Sequence, residues 1–226
     1  MKIVCFDFDN VVADGNIPFE LAKMKPEFRE LRLGLEFMVD NLNPREFFKV
    51  MKRMLELGKG MEFDEIKRMI LGFKIIKGTR KTFSALKKSG YKIVVVSVND
   101  KKMIREFLEK HKLLKYIDHI YASKLGSRNN KLTGKIYGNV IRTEKTGALK
   151  EIEKMYRVKK GDLVFIGDGL TDLPMMKLAG KGILFCPNSL TKIEVFRDKV
   201  LSGKERKGEL FLVEKKDLSE VLKFIS

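Results

Sequence analysis

The chain has 226 residues, of which 44% are hydrophobic and 34% charged, and its 47 Lys and Arg against 30 Asp and Glu leave a net charge of +17. That hydrophobic share excludes general disorder, and the longest apolar runs, such as Ile93 to Val96, fall far short of the roughly 18–20 residues that span a bilayer. Two cysteines, Cys5 and Cys186, each inside an apolar stretch, and only two histidines exclude a disulfide framework and speak against zinc. The length suits one domain of roughly 150 residues plus an insert. The first residues, Met1 to Asp7, reach an acid before a signal-peptide apolar region develops, so a soluble cytoplasmic protein is expected.

In chain order, Ile3 to Phe6 reads as a first strand ending at Asp7. The segment from about Asn16 to Phe73 then looks wholly helical. Asn43-Pro44-Arg45-Glu46 supplies an N-cap, a proline at the first helical position and an acid in the first turn. Phe47, Phe48, Met51, Met54 and Leu55 follow at helical spacing, and Ile66, Met69, Ile70 and Phe73 repeat the signal. These stripes read as the core of a small helical bundle. Thr79 to Ser89 is predicted helical, with Phe83 and Leu86 inward and Gly90 as its stop. Tyr91 to Val96 is a β-branched strand ending at Ser97. Lys101 to Lys112 is a helix, with Asn99 and Asp100 both suited to cap it. Tyr121 to Ile141 reads as a hairpin turning at Asn129-Asn130 and Gly134. Thr146 to Tyr156 is a helix with Leu149, Ile152 and Met155 on one face. Leu163 to Ile166 and Gly182 to Cys186 are two more strands. The strands are nearly continuous apolar runs, as in a parallel sheet covered on both faces.

Four features lie where these strands end or the following helices begin. Phe6-Asp7-Phe8-Asp9-Asn10 places two carboxylates two residues apart, able to share one side of a strand end. Phe165-Ile166-Gly167-Asp168-Gly169-Leu170-Thr171-Asp172 puts a carboxylate at another strand end between two glycines, with Thr171 as a candidate cap for the next helix. A bare Asp168 close to Asp7 would be costly, and a hard divalent ion with oxygen ligands, such as Mg²⁺, removes that cost. Val96-Ser97-Val98-Asn99-Asp100 offers a hydroxyl and turn N–H groups suited to a phosphate oxygen. Thr143-Glu144-Lys145-Thr146 places a lysine at the head of a helix.

Together the four resemble the signature of the haloacid dehalogenase superfamily, and Asp9 points to its phosphatase branch. The resemblance implies an α/β fold: a Rossmann-like parallel sheet flanked by helices (residues 1–15 and 75–226) with an inserted all-helical cap (16–74). It implies that Asp7 is the nucleophile and that Asp9 protonates the leaving oxygen and then activates water. It also implies that Mg²⁺ is held by the Asp7 carboxylate, the Asp9 carbonyl and Asp168, with Asp172 in support. Ser97 and Lys145 would hold the transferring phosphoryl group, with Phe8, Val98 and Asn99 among the substrate-binding positions. The similarity is nearest to the phosphoserine phosphatase-like group with a helical cap, and Lys131-Leu132-Thr133-Gly134 and Val213 to Leu218 fit it as well.

Three positions depart from that group. Val98-Asn99 stand where two glycines are usual after the serine, Thr171-Asp172 stands in place of Asn-Asp, and Asn16 stands where a substrate-gripping glutamate is usual. The Gly-Asp-Gly-x-Thr-Asp form is also similar to that of methylthiopentenyl phosphate phosphatases. The expected activity is hydrolysis of a small phosphorylated metabolite. A phosphatase acting on nucleotide or nucleic-acid ends and a basic nucleic-acid-binding protein are the alternatives. The basic residues are interleaved with acids along the chain, as in Lys150-Glu151-Ile152-Glu153-Lys154, which favours a solvated charged surface over a nucleic-acid arm. No membrane partner is expected.

Overall fold

The computed structural model describes residues 2–17, 20, 53, 55–143 and 145–225. Its centre is a seven-stranded sheet ordered β6-β5-β4-β1-β7-β8-β9. The strands are β1 (Ile3–Phe6), β4 (Lys92–Asp100), β5 (His119–Arg128), β6 (Lys131–Tyr137), β7 (Leu163–Gly167), β8 (Lys181–Phe185) and β9 (Leu210–Val213). All neighbours pair in parallel except β5 with β6. The central strands are buried on both faces, with alternate residues entering opposite layers. Val4, Phe6, Ile93, Val95, Val164 and Ile166 face one core; Ile3, Cys5, Val94, Val96, Leu163 and Phe165 face the other. This explains the unbroken apolar runs of the sequence.

The first layer holds α1 (Phe63–Gly72), α2 (Thr79–Lys88) and α3 (Lys101–Lys110), closed by α9 (Leu222–Ile225). The second holds α4 (Asn139–Arg142), α5 (Thr146–Tyr156), α6 (Leu173–Leu178), α7 (Ser189–Arg197) and α8 (Lys199–Arg206). Gly90, at φ +76°, ends α2 as expected, since only a residue without Cβ adopts that conformation freely. On α5, Leu149 and Ile152 are buried, but the expected third member of that face, Met155, is 52% exposed.

Within the stretch 16–73 the described residues depart from a wholly helical reading at 58–62, and a short ladder flanks the stretch on both sides. A two-residue strand β2 (Ala13–Asp14) pairs antiparallel with β3 (Lys74–Ile75), so the chain leaves and re-enters the sheet domain side by side. Residues 60–63 are not helical through their length but dock on the hairpin, with Gly60 N–H donating to Leu132, Leu132 N–H to Met61 and Phe63 N–H to Asn130. The second helical signal is α1, and its Ile66 and Ile70 join the first core rather than a separate bundle. A Lys67–Glu106 ion pair and the Lys110 ammonium, donating to the Leu71 carbonyl, tie α1 to α3. The helix start at Asn43 and the stripe residues Phe47, Phe48, Met51 and Met54 lie outside the described residues.

The hairpin turns at Asn129-Asn130, both left-handed at φ +48° and +59°, the geometry a two-residue turn between twisted strands requires. Gly134 is no turn residue. It sits inside β6 at φ +74°, where an added Cβ would come 3.3 Å from the backbone of Glu56. Strand β9, an edge strand whose Leu212 is 42% exposed, has no counterpart in the sequence reading.

Candidate active site

β1 lies between β4 and β7, so the chain runs outward from it in both directions and leaves a crevice at the carboxyl ends of these three strands. Asp7 follows β1 with its N–H bonded to the Ile166 carbonyl of β7 (2.8 Å), which fixes the carboxylate over the crevice. Asp168 follows β7, and Ser97 lies in β4, close to its carboxyl end. Lys145 stands just before α5 in a left-handed conformation (φ +66°) that turns its side chain inward. Its Nζ lies 2.8 Å from Asp7 Oδ1 and 2.7 Å from Asp172 Oδ1, with the lysine only 1% exposed.

Asp172 uses its second oxygen as a brace. Oδ2 accepts from the N–H groups of Asp168 (3.0 Å) and Gly169 (3.2 Å), so one carboxylate shapes the loop and holds the lysine. Gly167 is required by this packing, because an added Cβ would sit 2.3 Å from the Asp172 carboxylate. Asp172 itself occupies the N-cap position of α6, so Thr171 does not cap that helix. Asp168 is oriented from the other side by Asn10, whose amide donates to Asp168 Oδ2 (3.0 Å).

The site has more negative than positive charge. Asp7, Asp168 and Asp172 bring carboxylate oxygens within 4.8 Å of one another. Burial, and then Asp172, push the Asp7 carboxyl up to about 7 against the pull of Lys145. Burial, followed by Asp172 and Asp7, likewise raises Asp168 well above the ordinary carboxylate range. For Lys145, burial acts downward, but Asp172 and Asp7 outweigh it and keep the ammonium charged. One lysine thus faces three clustered acids, and an all-oxygen donor set short of positive charge suits a hard divalent cation. These residues fit such an ion.

Asp9 differs from its neighbours. It is buried, and Asn99 Nδ2 donates to its Oδ1 at 2.7 Å, with the Ile17 N–H as a further donor. Burial and the nearby Asp7 nevertheless push its carboxyl up to about 8.

The sequence candidates Asp7, Asp9, Ser97, Lys145, Asp168 and Asp172 therefore converge. Phe8 and Val98 do not bring side chains to the crevice. Phe8 packs edge-on against Phe107 at 5.0 Å and offers only its N–H, which bonds the Asp7 carboxyl, while Val98 leans on the second core. Asn99 does not cap α3. Asp100 does that alone, accepting from Lys102 and Met103 N–H, and its other oxygen holds Leu125 N–H of β5. Sequence reasoning missed Asn10 and the side-chain role of Asn99. A left-handed Asn10 (φ +54°) directly after the paired acids is the one local sign of the first.

Among the described residues no helix is long and apolar enough to cross a membrane. The chain is 28% identical to the phosphoserine phosphatase of Methanocaldococcus jannaschii across 99% of its own length and 97% of that protein's. It is 25% identical to the phosphoserine phosphatase of Wolinella succinogenes across 98% of each. A solved phospho-aspartyl intermediate analogue of phosphoserine phosphatase superposes with a TM-score of 0.79 at 27% identity, covering 100% of this chain and 99% of that one. A substrate-bound phosphoserine phosphatase complex gives the same score and identity, covering 100% and 98%. The family described as haloacid dehalogenase-like hydrolase matches residues 4–177, most of the sheet and every acid of the crevice; the chain belongs to that family and is one of its phosphatases.

Proposed function

We propose that this phosphatase hydrolyses a small phosphomonoester of the phosphoserine type through an aspartyl-phosphate on Asp7. The observation that carries the reading is the Lys145 ammonium, buried and bridging Asp7 and Asp172, beside an Asp9 carboxyl held by the Asn99 amide. In the first half-reaction an Asp7 oxygen bonds to phosphorus, the ester P–O bond breaks, and the Asp9 proton passes to the departing oxygen. In the second, Asp9 takes a proton from water, the water oxygen bonds to phosphorus, and the bond to Asp7 breaks. Lys145 and the Ser97 hydroxyl, with the Val98 N–H beside them, stabilise charge on the phosphoryl oxygens, while the Phe8 and Asn99 N–H groups hold the Asp7 carboxyl and Ser97 Oγ in place. Asp172 holds Lys145 and the Asp168 loop in place.

The Asp7 carboxylate, the Asp9 carbonyl and Asp168 would hold Mg²⁺, with Asp172 in support; when bound, the ion neutralises charge between nucleophile and phosphate. The segment 16–74 is read as a cap over the crevice that selects the leaving group. The relatives' activity supports a phosphoserine-like substrate, while Val98-Asn99, Thr171 and Asn16 set this chain apart from the usual pattern. Two free thiols, Cys5 in β1 and Cys186 after β8, suit a reducing, cytoplasmic setting.

The experiment is a screen of phosphoserine, sugar phosphates and nucleotides with Mg²⁺ and then with chelator, for wild type and Asp7→Asn. Chelation and Asp7→Asn should each abolish turnover while the melting transition is kept. A folded Asp7→Asn enzyme with near-normal turnover would remove Asp7 as nucleophile.

A further inference from the structure

The last residues of β4, Ser97 to Asp100, are held by hydrogen bonds that leave the Asn99 side chain turned toward the site. Asn99 N–H donates to Ser97 Oγ (3.1 Å), which closes the turn on itself. Asp100 Oδ1 accepts from the first turn of α3, and its Oδ2 accepts from Leu125 N–H (2.9 Å), which pins the turn to β5. The pairing of β4 with β5 shifts register between Ser97 and Asp100, and this irregularity leaves Asn99 free of the sheet ladder. Asn99 is 7% exposed, and its amide reaches across the crevice to Asp9 Oδ1.

We propose that the Asn99 side chain is a positioning residue for Asp9, fixing the carboxyl so that its proton is delivered to the leaving oxygen of a poor leaving group. The oxygen that accepts the Asn99 N–H is fixed in place, and with it the plane and direction of the whole carboxyl. The amide cannot exchange a proton itself; it acts only through Asp9. The contact is neutral–carboxyl, short and buried, and both ends rest on frameworks that do not depend on substrate. This inference rests on the reading of Asp9 as acid and base given above.

The dependence of rate on the leaving group separates positioning from simple support of the fold. An aryl phosphate such as p-nitrophenyl phosphate releases a stable phenolate and needs little proton donation, whereas an alkyl phosphate such as O-phosphoserine or glycerol 2-phosphate needs it. The second-order constant kcat/KM reports the first phosphoryl transfer, in which Asp9 acts as acid. The full-length enzyme with Mg²⁺ is compared with Asn99→Ala and Asn99→Gly, the glycine variant also standing in should the alanine variant fail to melt cooperatively. Loss of a general acid typically costs ~10²–10⁴-fold. Loss of its positioning group should lower kcat/KM for alkyl esters by about 10–100-fold and for the aryl ester far less. Equal losses on both substrate types, or no loss on either, would overturn the proposal. Asp9→Asn is measured in parallel. If it leaves the alkyl-to-aryl ratio unchanged, the reading of Asp9 fails. If Asp9→Asn shifts the ratio and the Asn99 variants do not, the role of Asn99 alone fails.

Discussion

Replacing Asp9 by asparagine should make the metal-free protein more stable while making it a poor catalyst. In the folded chain the Asp9 carboxyl keeps its proton up to about 8, against 3.8 for an ordinary aspartate. Between those values the folded state holds a proton that the unfolded chain has lost, so the unfolded state binds fewer protons and stability falls as pH rises. The window spans about four pH units, each worth ~1.4 kcal/mol, so this group alone costs on the order of 5 kcal/mol at pH 9 relative to pH 4. Asparagine removes the charge, keeps an oxygen for the Asn99 amide and preserves the volume. The assay is urea denaturation of wild type and Asp9→Asn at pH 5, 7 and 9 in the presence of chelator. The gap in favour of the variant should be smallest at pH 5 and widen as pH rises, with kcat of the variant down ~10²–10⁴-fold when Mg²⁺ is supplied. Parallel stability curves across the three pH values would show that Asp9 ionises as freely in the folded chain as in the unfolded one, and would refute the reasoning.

Gly167→Ala should weaken divalent-metal binding, read by calorimetry, because the added methyl would meet the Asp172 carboxylate at 2.3 Å and displace the brace of the Asp168 loop. Asp118→Asn should cost about 1–3 kcal/mol at neutral pH, since Asp118 accepts from Lys87 Nζ (2.7 Å), Lys92 Nζ (2.9 Å) and Ile93 N–H (2.8 Å). Although burial acts upward, those donors hold its carboxyl below the usual range, so the difference from wild type should vanish in acid, as pH falls below about 4, when denaturation is followed across pH. Arg53→Ala, in the segment read as a cap, should change kcat/KM unequally across a panel of phosphate esters and least for a small aryl phosphate; uniform scaling over several such variants would show that the segment does not select substrate.

The strands and the catalytic acids were legible because both depend on local pattern. A strand buried on two faces must be apolar throughout, and the chemistry sits where such a run stops, at Asp7, Ser97 and Asp168. What escaped depends on residues far apart in the chain. Asn10 meets Asp168 across a separation of 158 positions and Asn99 meets Asp9 across 90, and no periodicity records such meetings. Asn99 and Asp100 look equally fit to cap a helix, and tertiary contacts decide that one caps while the other reaches the crevice. Strand β9 was within reach of the same rule, since Leu210-Phe211-Leu212-Val213 is an unbroken apolar run even though Leu212 is exposed at the sheet edge. On the surface Lys192 pairs with Glu214, Lys216 with Asp14 and Lys223 with Glu220.

The pairing of Ala13 with Ile75 and Asp14 with Lys74 bears on how such a chain diversifies. Because departure and return are neighbours in space, everything between them is a loop whose closure is met by one short ladder, and each doubling of its length adds only about 0.6 kcal/mol of closure entropy. The seven-stranded sheet therefore needs no new register when the part of that loop ahead of residues 55–72, which dock on β6 and in the first core, is shortened, lengthened or exchanged. The acids, the lysine and the serine all lie outside it, at the ends of β1, β4 and β7 and at the heads of α5 and α6. Selection can thus rewrite what enters the crevice, piece by piece, without disturbing the groups that perform the chemistry.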